Sequence, residues 1–238
     1  MIKGGKAIYG ASVGILMLEA RFPRILGDMG HAGTWDFPVL YKVVRDASPD
    51  RVVRKGAEGL LDAFVAAAKE LEADGADGIT TNCGFLSLYQ AELTKAVGIQ
   101  VLTSSLMQVP AVNALLGQSK RAGVLTISGS TLTPAHLTAA GVPKDTPIGT
   151  TEGSHFSDAI LNDAFELDPI IAEIDNVKAA KEMVQHYPDM GAIVLECTNM
   201  TPYAGAIRAA TGLPVFSMVS FVNWFQSGLQ PARWPQEV

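Results

Sequence analysis

The chain contains two cysteines, Cys83 and Cys197, in closely similar settings. Each ends a short apolar run and opens a segment of small and polar residues. The first is Ile79-Thr80-Thr81-Asn82-Cys83-Gly84-Phe85-Leu86; the second is Ile193-Val194-Leu195-Glu196-Cys197-Thr198-Asn199-Met200. They lie 114 positions apart (197 − 83), and the same offset takes Tyr89 to Tyr203, Gly98 to Gly212 and Val101 to Val215. A whole structural unit therefore recurs. Two thiols at related positions suit proton transfer at carbon, in which one group removes a proton from a planar carbanion's face and another returns it from the far side. Racemisation needs this geometry, with one sulfur as thiolate and the other as thiol. A lone cysteine is more often a small buried hydrophobe, but matched placement of both reverses that weighting.

The elements around each thiol follow from pattern. An apolar run, a turn, a helical stretch, a glycine and a second apolar run read as strand, turn, helix, strand. Each thiol then sits at the carboxyl end of a strand, where open α/β sheets bind ligands, and at a helix amino end, which lowers a thiol pKa from ~8.5 toward neutrality. The expected fold is α/β, with two pseudo-symmetric domains, each a parallel sheet flanked by helices, and the active site in the cleft between them. The first domain is expected over 1–106 plus 219–238 and the second over 107–218.

Taken in order, a first strand is expected from Lys6 to Tyr9, ending in the small-residue turn Gly10-Ala11-Ser12-Val13-Gly14. The stretch Arg21 to Val44 is too rich in Pro, Gly and aromatics for a plain helix or strand, and reads as a lid or a subunit interface; Arg21 and Arg24 in it are candidate carboxylate binders. A helix is expected over Asp50 to Ala73, then a helix over Leu86 to Val97 and a strand over Ile99 to Thr103. A helix over Met107 to Leu116 and a buried strand over Ala122 to Ile127 follow. The end of that strand carries Thr126, Ser128, Ser130 and Thr131, as ligand donors or helix caps. Asp168 and Pro169 begin a long helix with Ile170, Ile174, Val177 and Val184 on its buried side. After the second cysteine come a helix over Pro202 to Ala210, a strand over Pro214 to Ser217, a helix over Val219 to Phe225 and an irregular tail over Gln226 to Val238.

Backbone N–H groups at Gly84-Phe85 and Thr198-Asn199 are expected to hold a substrate carboxylate and the charge that builds on it, helped by the side chains of Thr81, Asn82, Thr198 and Asn199. This chemistry calls for no metal and no organic cofactor. His31, His136, His155 and His186 lack metal-ligand spacing and read as surface or capping residues, with His31 in the irregular stretch the least easily set aside.

With 48% hydrophobic and 18% charged residues the chain can build buried parallel strands, and disorder is excluded. A net charge of −6 without a dense Lys/Arg block argues against nucleic acid. No run approaches the ~18 apolar residues of a membrane span. The start, Met1-Ile2-Lys3-Gly4-Gly5-Lys6, lacks the apolar core of a signal peptide, so a cytoplasmic protein is expected. Two cysteines are too few for a disulfide-stapled fold. The expected partners are a small carboxylate and further copies of the chain, as a dimer or tetramer.

Thr80-Thr81-Asn82-Cys83 and Leu195-Glu196-Cys197-Thr198-Asn199-Met200 resemble the paired cysteine motifs of the aspartate/glutamate/hydantoin racemase superfamily. The resemblance implies an interdomain active site, Cys83 and Cys197 as acid and base, no cofactor, and substrate contacts at Asn82, Thr198 and the Ala11-Ser12 turn. Glutamate racemases carry His where this chain has Asn199, and an Asp-Ser turn it lacks. Hydantoin racemases share the methionine at Met200 but begin with Asn-Pro-Asn, unlike Tyr9-Gly10-Ala11-Ser12. Arylmalonate decarboxylases keep one cysteine of the pair. Phe22-Pro23-Arg24 and Thr34-Trp35-Asp36-Phe37-Pro38-Val39 look like the algal dimethylsulfoniopropionate lyases of the same superfamily, in which α-proton abstraction leads to elimination. From sequence, the reading adopted is a racemase acting on aspartate or a close relative. The alternatives are a carbon–sulfur lyase, a hydantoin racemase and a non-enzymatic ligand-binding clamp.

Overall fold

In a computed structural model that describes residues 4–234, the apolar runs flanking the cysteines become strands of two parallel sheets. The first contains β1 (Val13–Leu18), β2 (Val39–Val44), β3 (Gly78–Thr81) and β4 (Gln100–Leu102) in the order β2-β1-β3-β4. The second contains β5 (Arg121–Thr126), β6 (Ile148–Thr150), β7 (Met190–Leu195) and β8 (Val215–Phe216) in the order β6-β5-β7-β8. The two orders are the same, so the sequence repeat is a repeat of topology, and the α/β expectation holds.

Parallel sheets must be covered on both faces, and β1 is buried at all six positions. The α1 helix (Leu61–Asp74) covers one face through Phe64, Ala67, Ala68 and Leu71. The short helices α2 (Gln90–Ala96), α3 (Val109–Leu115), α4 (Pro134–Ala139) and α5 (His155–Leu161) and the longer α6 (Pro169–His186) and α7 (Ala204–Thr211) complete the connections. The last helix, α8 (Met218–Leu229), returns to the first sheet, where Met218 and Val222 pack with Val13, Ile15 and Met17.

Several sequence-based expectations are corrected. The first strand is Val13–Leu18, not Lys6–Tyr9: residues 4–10 are exposed, and the longer apolar run that follows takes the central place in the sheet. The end of the irregular stretch is β2, an edge strand. The helix expected from Asp50 is broken. A π-helical turn over Asp50–Arg54 gives way to a left-handed bend at Gly56, Ala57 and Gly59, and α1 starts at Leu61. Asp168 does cap α6, its carboxylate accepting from the Ile170 and Ile171 N–H groups. Half of the expected face holds, since Val177 and Val184 pack half-buried against the core. Ala172, Ala179, Ala180 and Met183 pack further inward because small residues let the helix approach closely, while Ile170 (72% exposed) and Ile174 (60%) face outward. The tail begins later than expected, since α8 runs to Leu229; positions 235–238, like Met1 to Lys3 at the start, lie outside the described residues.

Candidate active site

Each cysteine stands two residues beyond its strand, Cys83 after Thr81 and Cys197 after Leu195. Each then caps a 3-10 turn, Gly84–Tyr89 or Thr198–Tyr203, that leads into α2 or α7. These turns match residue for residue across the 114-position offset. Both thiols are free, 8% and 7% exposed, and line one cavity between the halves. The remaining walls are mostly apolar, including Leu18, Phe22, Val53, Phe85, Ile127 and Ile160, with Arg24, Asn82, Glu196 and Asn199 as the polar members. The cavity is ≈ 20 Å³, room for a water molecule and not for a carboxylic acid substrate.

Electrostatics in this closed pocket differ from the sequence expectation. Burial pushes the Cys83 thiol up, and the neighbouring Glu196 adds to this; N–H groups of Phe85 and Leu86 and the charge of Arg24 pull the other way without overcoming it. Cys197 is also raised well above its ordinary range, by burial first and then by Glu196, against a bond from the Asn199 N–H. The turn N–H groups thus favour each thiolate as expected, but desolvation is the larger effect.

Glu196 itself is fully buried, and burial pushes it up to about 7 despite hydrogen bonds from the Thr126 hydroxyl and the Ile127 N–H. Its Oε2 accepts from Thr126 Oγ1 at 2.8 Å, while Oε1 has no hydrogen-bond partner among the described residues. That oxygen lies against Gly84, where a Cβ would collide with it; the residue after Cys83 is thus glycine because of close approach by the other half.

The irregular segment between β1 and β2 brings the cation. Arg24 packs over the Phe22 ring, 4.5 Å from its centroid, and donates through Nη1 to Asp28 Oδ1 at 2.8 Å. Its Nη2 is buried without a partner among the described residues. Asp28 also accepts from the Gly30 N–H at 2.7 Å and from Asn199 Nδ2. Asn199 Oδ1 in turn accepts from the Cys197 thiol at 3.6 Å. A chain of hydrogen bonds thus runs from Arg24 through Asp28 and Asn199 to Cys197.

Of the residues singled out from sequence, Arg24, Asn82, Cys83, Gly84, Phe85, Cys197 and Asn199 line the cavity. The others do not. Ala11 and Ser12 precede β1 and so lie at the amino end of the strand, opposite the thiols; the carboxyl end carries Leu18, Phe22 and Arg24 instead. Arg21 is exposed and paired with Asp163. Thr126 turns its hydroxyl to Glu196, Ser128 accepts from Thr131, and Thr198 donates to the Asn82 carbonyl, each serving internal structure. Thr81 likewise holds its turn, donating to the Thr103 and Cys83 carbonyls. Of the histidines, His31 caps the short Ala32–Thr34 turn by accepting from the Gly33 N–H, and His136 belongs to the capping box of α4 but is buried against Phe85. Sequence reasoning passed over Asp28 and Glu196. Asp28 carried no local signal, whereas Glu196 stands directly before Cys197 in the repeated motif.

Two facing parallel-sheet halves of the same strand order are the fold of the aspartate/glutamate/hydantoin racemase superfamily. Arylmalonate decarboxylase superposes with a TM-score of 0.62 at 17% identity, covering 93% of this chain and 94% of its own. Picrophilus torridus aspartate racemase does so with 0.56 at 14%, covering 94% and 96%. No family model matches the chain. It is 31% identical to dimethylsulfoniopropionate lyase 7 of Emiliania huxleyi over 238 aligned residues, covering 92% of this chain and 67% of that protein. It is 28% identical to the dimethylsulfoniopropionate lyase of Durusdinium sp. clade D, covering 92% and 75%. The chain belongs to the dimethylsulfoniopropionate lyase family. This overturns the racemase reading: the curated relatives aligned over about nine-tenths of the chain are lyases, and the racemases share the fold alone. Among the described residues, no helix is long and apolar enough to cross a membrane.

Proposed function

We propose that the protein is a carbon–sulfur lyase that eliminates a neutral sulfide from a small sulfonium carboxylate, dimethylsulfoniopropionate or a close analogue. A cysteine thiolate takes the proton α to the carboxylate. The C–H electron pair becomes the new carbon–carbon double bond, and the carbon–sulfur bond breaks with its pair leaving on sulfur. Dimethyl sulfide and acrylate are the products, and the proton remains on the enzyme's thiol. Cys83 is the stronger candidate for base because the Arg24 charge favours its thiolate, whereas Cys197 donates its proton to Asn199 and faces the charge of Asp28.

The observation that carries this reading is the pairing of two thiols with a spare guanidinium nitrogen in one mostly apolar cavity of a chain 31% identical to a dimethylsulfoniopropionate lyase. Arg24 Nη2 is free to take the substrate carboxylate, which draws charge off the α-carbon as its proton leaves. The apolar walls suit the methyl groups on sulfur, and the leaving group needs no acid because it departs neutral. Entry requires a wall to move, and the Leu18 to Arg24 segment supplies part of that wall.

The test is incubation with dimethylsulfoniopropionate, with headspace detection of dimethyl sulfide and quantification of acrylate, beside L-aspartate followed by chiral chromatography. Equimolar sulfide and acrylate with unchanged aspartate is the expected result. Aspartate racemised without sulfide release would sink the proposal.

A further inference from the structure

The repeat gives Glu196 a counterpart, and the counterpart shows what a purely structural residue at that place looks like. The 114-position offset pairs Glu196 with Asn82. Asn82 Oδ1 accepts from the Leu18 N–H at 2.8 Å, tying the end of β3 to the end of β1. Glu196 stands at the equivalent place, its N–H donating to the Leu125 carbonyl at 2.9 Å as the Asn82 N–H donates to Leu16 at 3.0 Å, and the Ile127 N–H favours its charged form. Leu18 and Ile127 are equivalent, each lying two residues beyond the strand residue paired with the last position of β3 or β7, Leu16 with Thr81 and Leu125 with Leu195. A neutral amide is enough for this brace in the first half. In the second half the brace is an ionisable group whose other oxygen, Oε1, is buried and unpartnered among the described residues, in the wall that holds both thiols.

We propose that Glu196 is the proton-exchange partner of the two thiols, taking from a cysteine the proton removed from substrate and passing it out of the cavity so that the thiolate is restored. This rests on the lyase reading for its substrate. In the elimination the α-proton ends on sulfur; transfer to Glu196 turns its carboxylate into a carboxylic acid and the thiol into a thiolate, and water takes the proton when the cavity opens to release product. No other reactant is needed. Glu196 acts through the sulfurs and does not touch the reacting carbon. Two further features fit. Its charge acts on both thiols, and burial places its own titration at about 7, where it exchanges protons readily with water.

Glu196→Gln tests this, because it keeps the volume and the carbonyl acceptor for Thr126 and Ile127 while removing the titration. Two readouts are taken on the full chain across about pH 5 to 9: alkylation of each cysteine by iodoacetamide, followed by peptide mass, and turnover of dimethylsulfoniopropionate. In the native protein both profiles should bend near pH 7; in Glu196→Gln the bend disappears and kcat falls about tenfold or more, with KM changed by less than about twofold. Thr126→Val, which removes a hydrogen bond that favours the carboxylate, should move the bend to higher pH, and it decides the question if circular dichroism shows the glutamine variant unfolded. A bend that survives in Glu196→Gln, or that fails to move in Thr126→Val, overturns the proposal while leaving the lyase reading intact. Loss of the alkylation bend in a protein that releases no sulfide overturns the lyase reading and keeps the thiol–carboxyl coupling.

Discussion

The ends of β3 and β7 hold a cysteine in the same backbone frame, yet the polar groups around the two sulfurs differ. In the first half the cysteine follows an amide, Asn82, and lies within reach of the Arg24 charge; in the second it follows a carboxyl, Glu196, and lies within reach of Asp28. The N–H groups that favour each thiolate differ as well, those of Phe85 and Leu86 for Cys83 and that of Asn199 for Cys197. The Cys197 thiol has an acceptor of its own, Asn199 Oδ1, which favours its protonated form. Repetition has fixed where the sulfurs stand, and divergence of their neighbours has set how readily each gives up its proton. A racemase uses both faces of a carbanion and needs both sulfurs in exchangeable roles. An elimination takes a proton and returns none to carbon, so inequivalent sulfurs suit it.

Removing the sulfurs singly breaks this comparison most directly. Cys83→Ala should lower the rate of sulfide release by about 10³-fold or more, within the range for loss of a positioned base. Cys197→Ala should cost less, about 10–100-fold, because Cys83 is the proposed proton acceptor. The measurement is kcat for acrylate formation in both variants at one pH. Equal losses would mean the two halves are chemically equivalent despite their different neighbours.

Arg24 sharpens the same asymmetry, since it comes from the first half and has no repeat partner in the second. Arg24→Lys keeps a charge but loses the fork that donates to Asp28 and to a carboxylate together. KM for dimethylsulfoniopropionate should rise about 10–100-fold with a smaller fall in kcat. The alkylation of Cys83 should also shift to higher pH, because the charge of Arg24 favours its thiolate. An unchanged KM would remove Arg24 from the substrate site.

Glu196 leaves a mark on stability as well as on turnover. Its folded-state pKa of about 7 lies above the ordinary carboxyl value of 4.5, so between these pH values the folded chain holds a proton that the unfolded chain has lost. Stability from this group is therefore fully present below about pH 4.5, falls as pH rises toward 7, and stays low above it. Glu196→Gln cannot titrate and escapes that loss, which is on the order of 3 kcal/mol. Thermal melts should show the variant gaining on the native protein from pH 5 to pH 8. Asn82→Asp provides the reciprocal test by placing an ionisable group at the other brace, and it should make the first half lose stability with rising pH.

Much of this was legible in the sequence because it is local. Cysteines are few, their offset recurs in Tyr, Gly and Val positions, and Asp168-Pro169 states a helix start in two residues. The start of β1 was misplaced because two short apolar runs stand in tandem, and only the sheet decides which is central. The inward face of α6 was misjudged because isoleucines outrank alanines on hydrophobicity, while close packing selects the alanines. Arg24 and Asp28 were the hardest to see in full. Their role depends on meeting Asn199, 171 residues beyond Asp28, through a segment with little regular structure. Glu196 was accessible in principle, since aligning the repeat sets it beside Asn82.

The smallest effect expected concerns the segment that differs most between the halves, the long connection from β1 to β2. Asp163, held in a left-handed conformation at φ 54, accepts from the Phe22 N–H at 3.1 Å and from the N–H and Nε of Arg21. It therefore latches the first half's wall to the second half beside the cavity. Asp163→Ala should lower stability by about 1–2 kcal/mol. Because a cavity of ≈ 20 Å³ must open for any substrate, the same variant should also speed the fluorescence change of Trp35, which lies in that segment, on mixing with substrate. Asp163→Asn retains an acceptor and should behave nearly as the native protein. An opening rate unaffected by Asp163→Ala would shift the moving wall to another first-half contributor, the Pro49 to Val53 stretch, which Arg54 ties to Asn162 Oδ1 at 2.8 Å. The asymmetry between the halves would then lie in their charges and not in their motions.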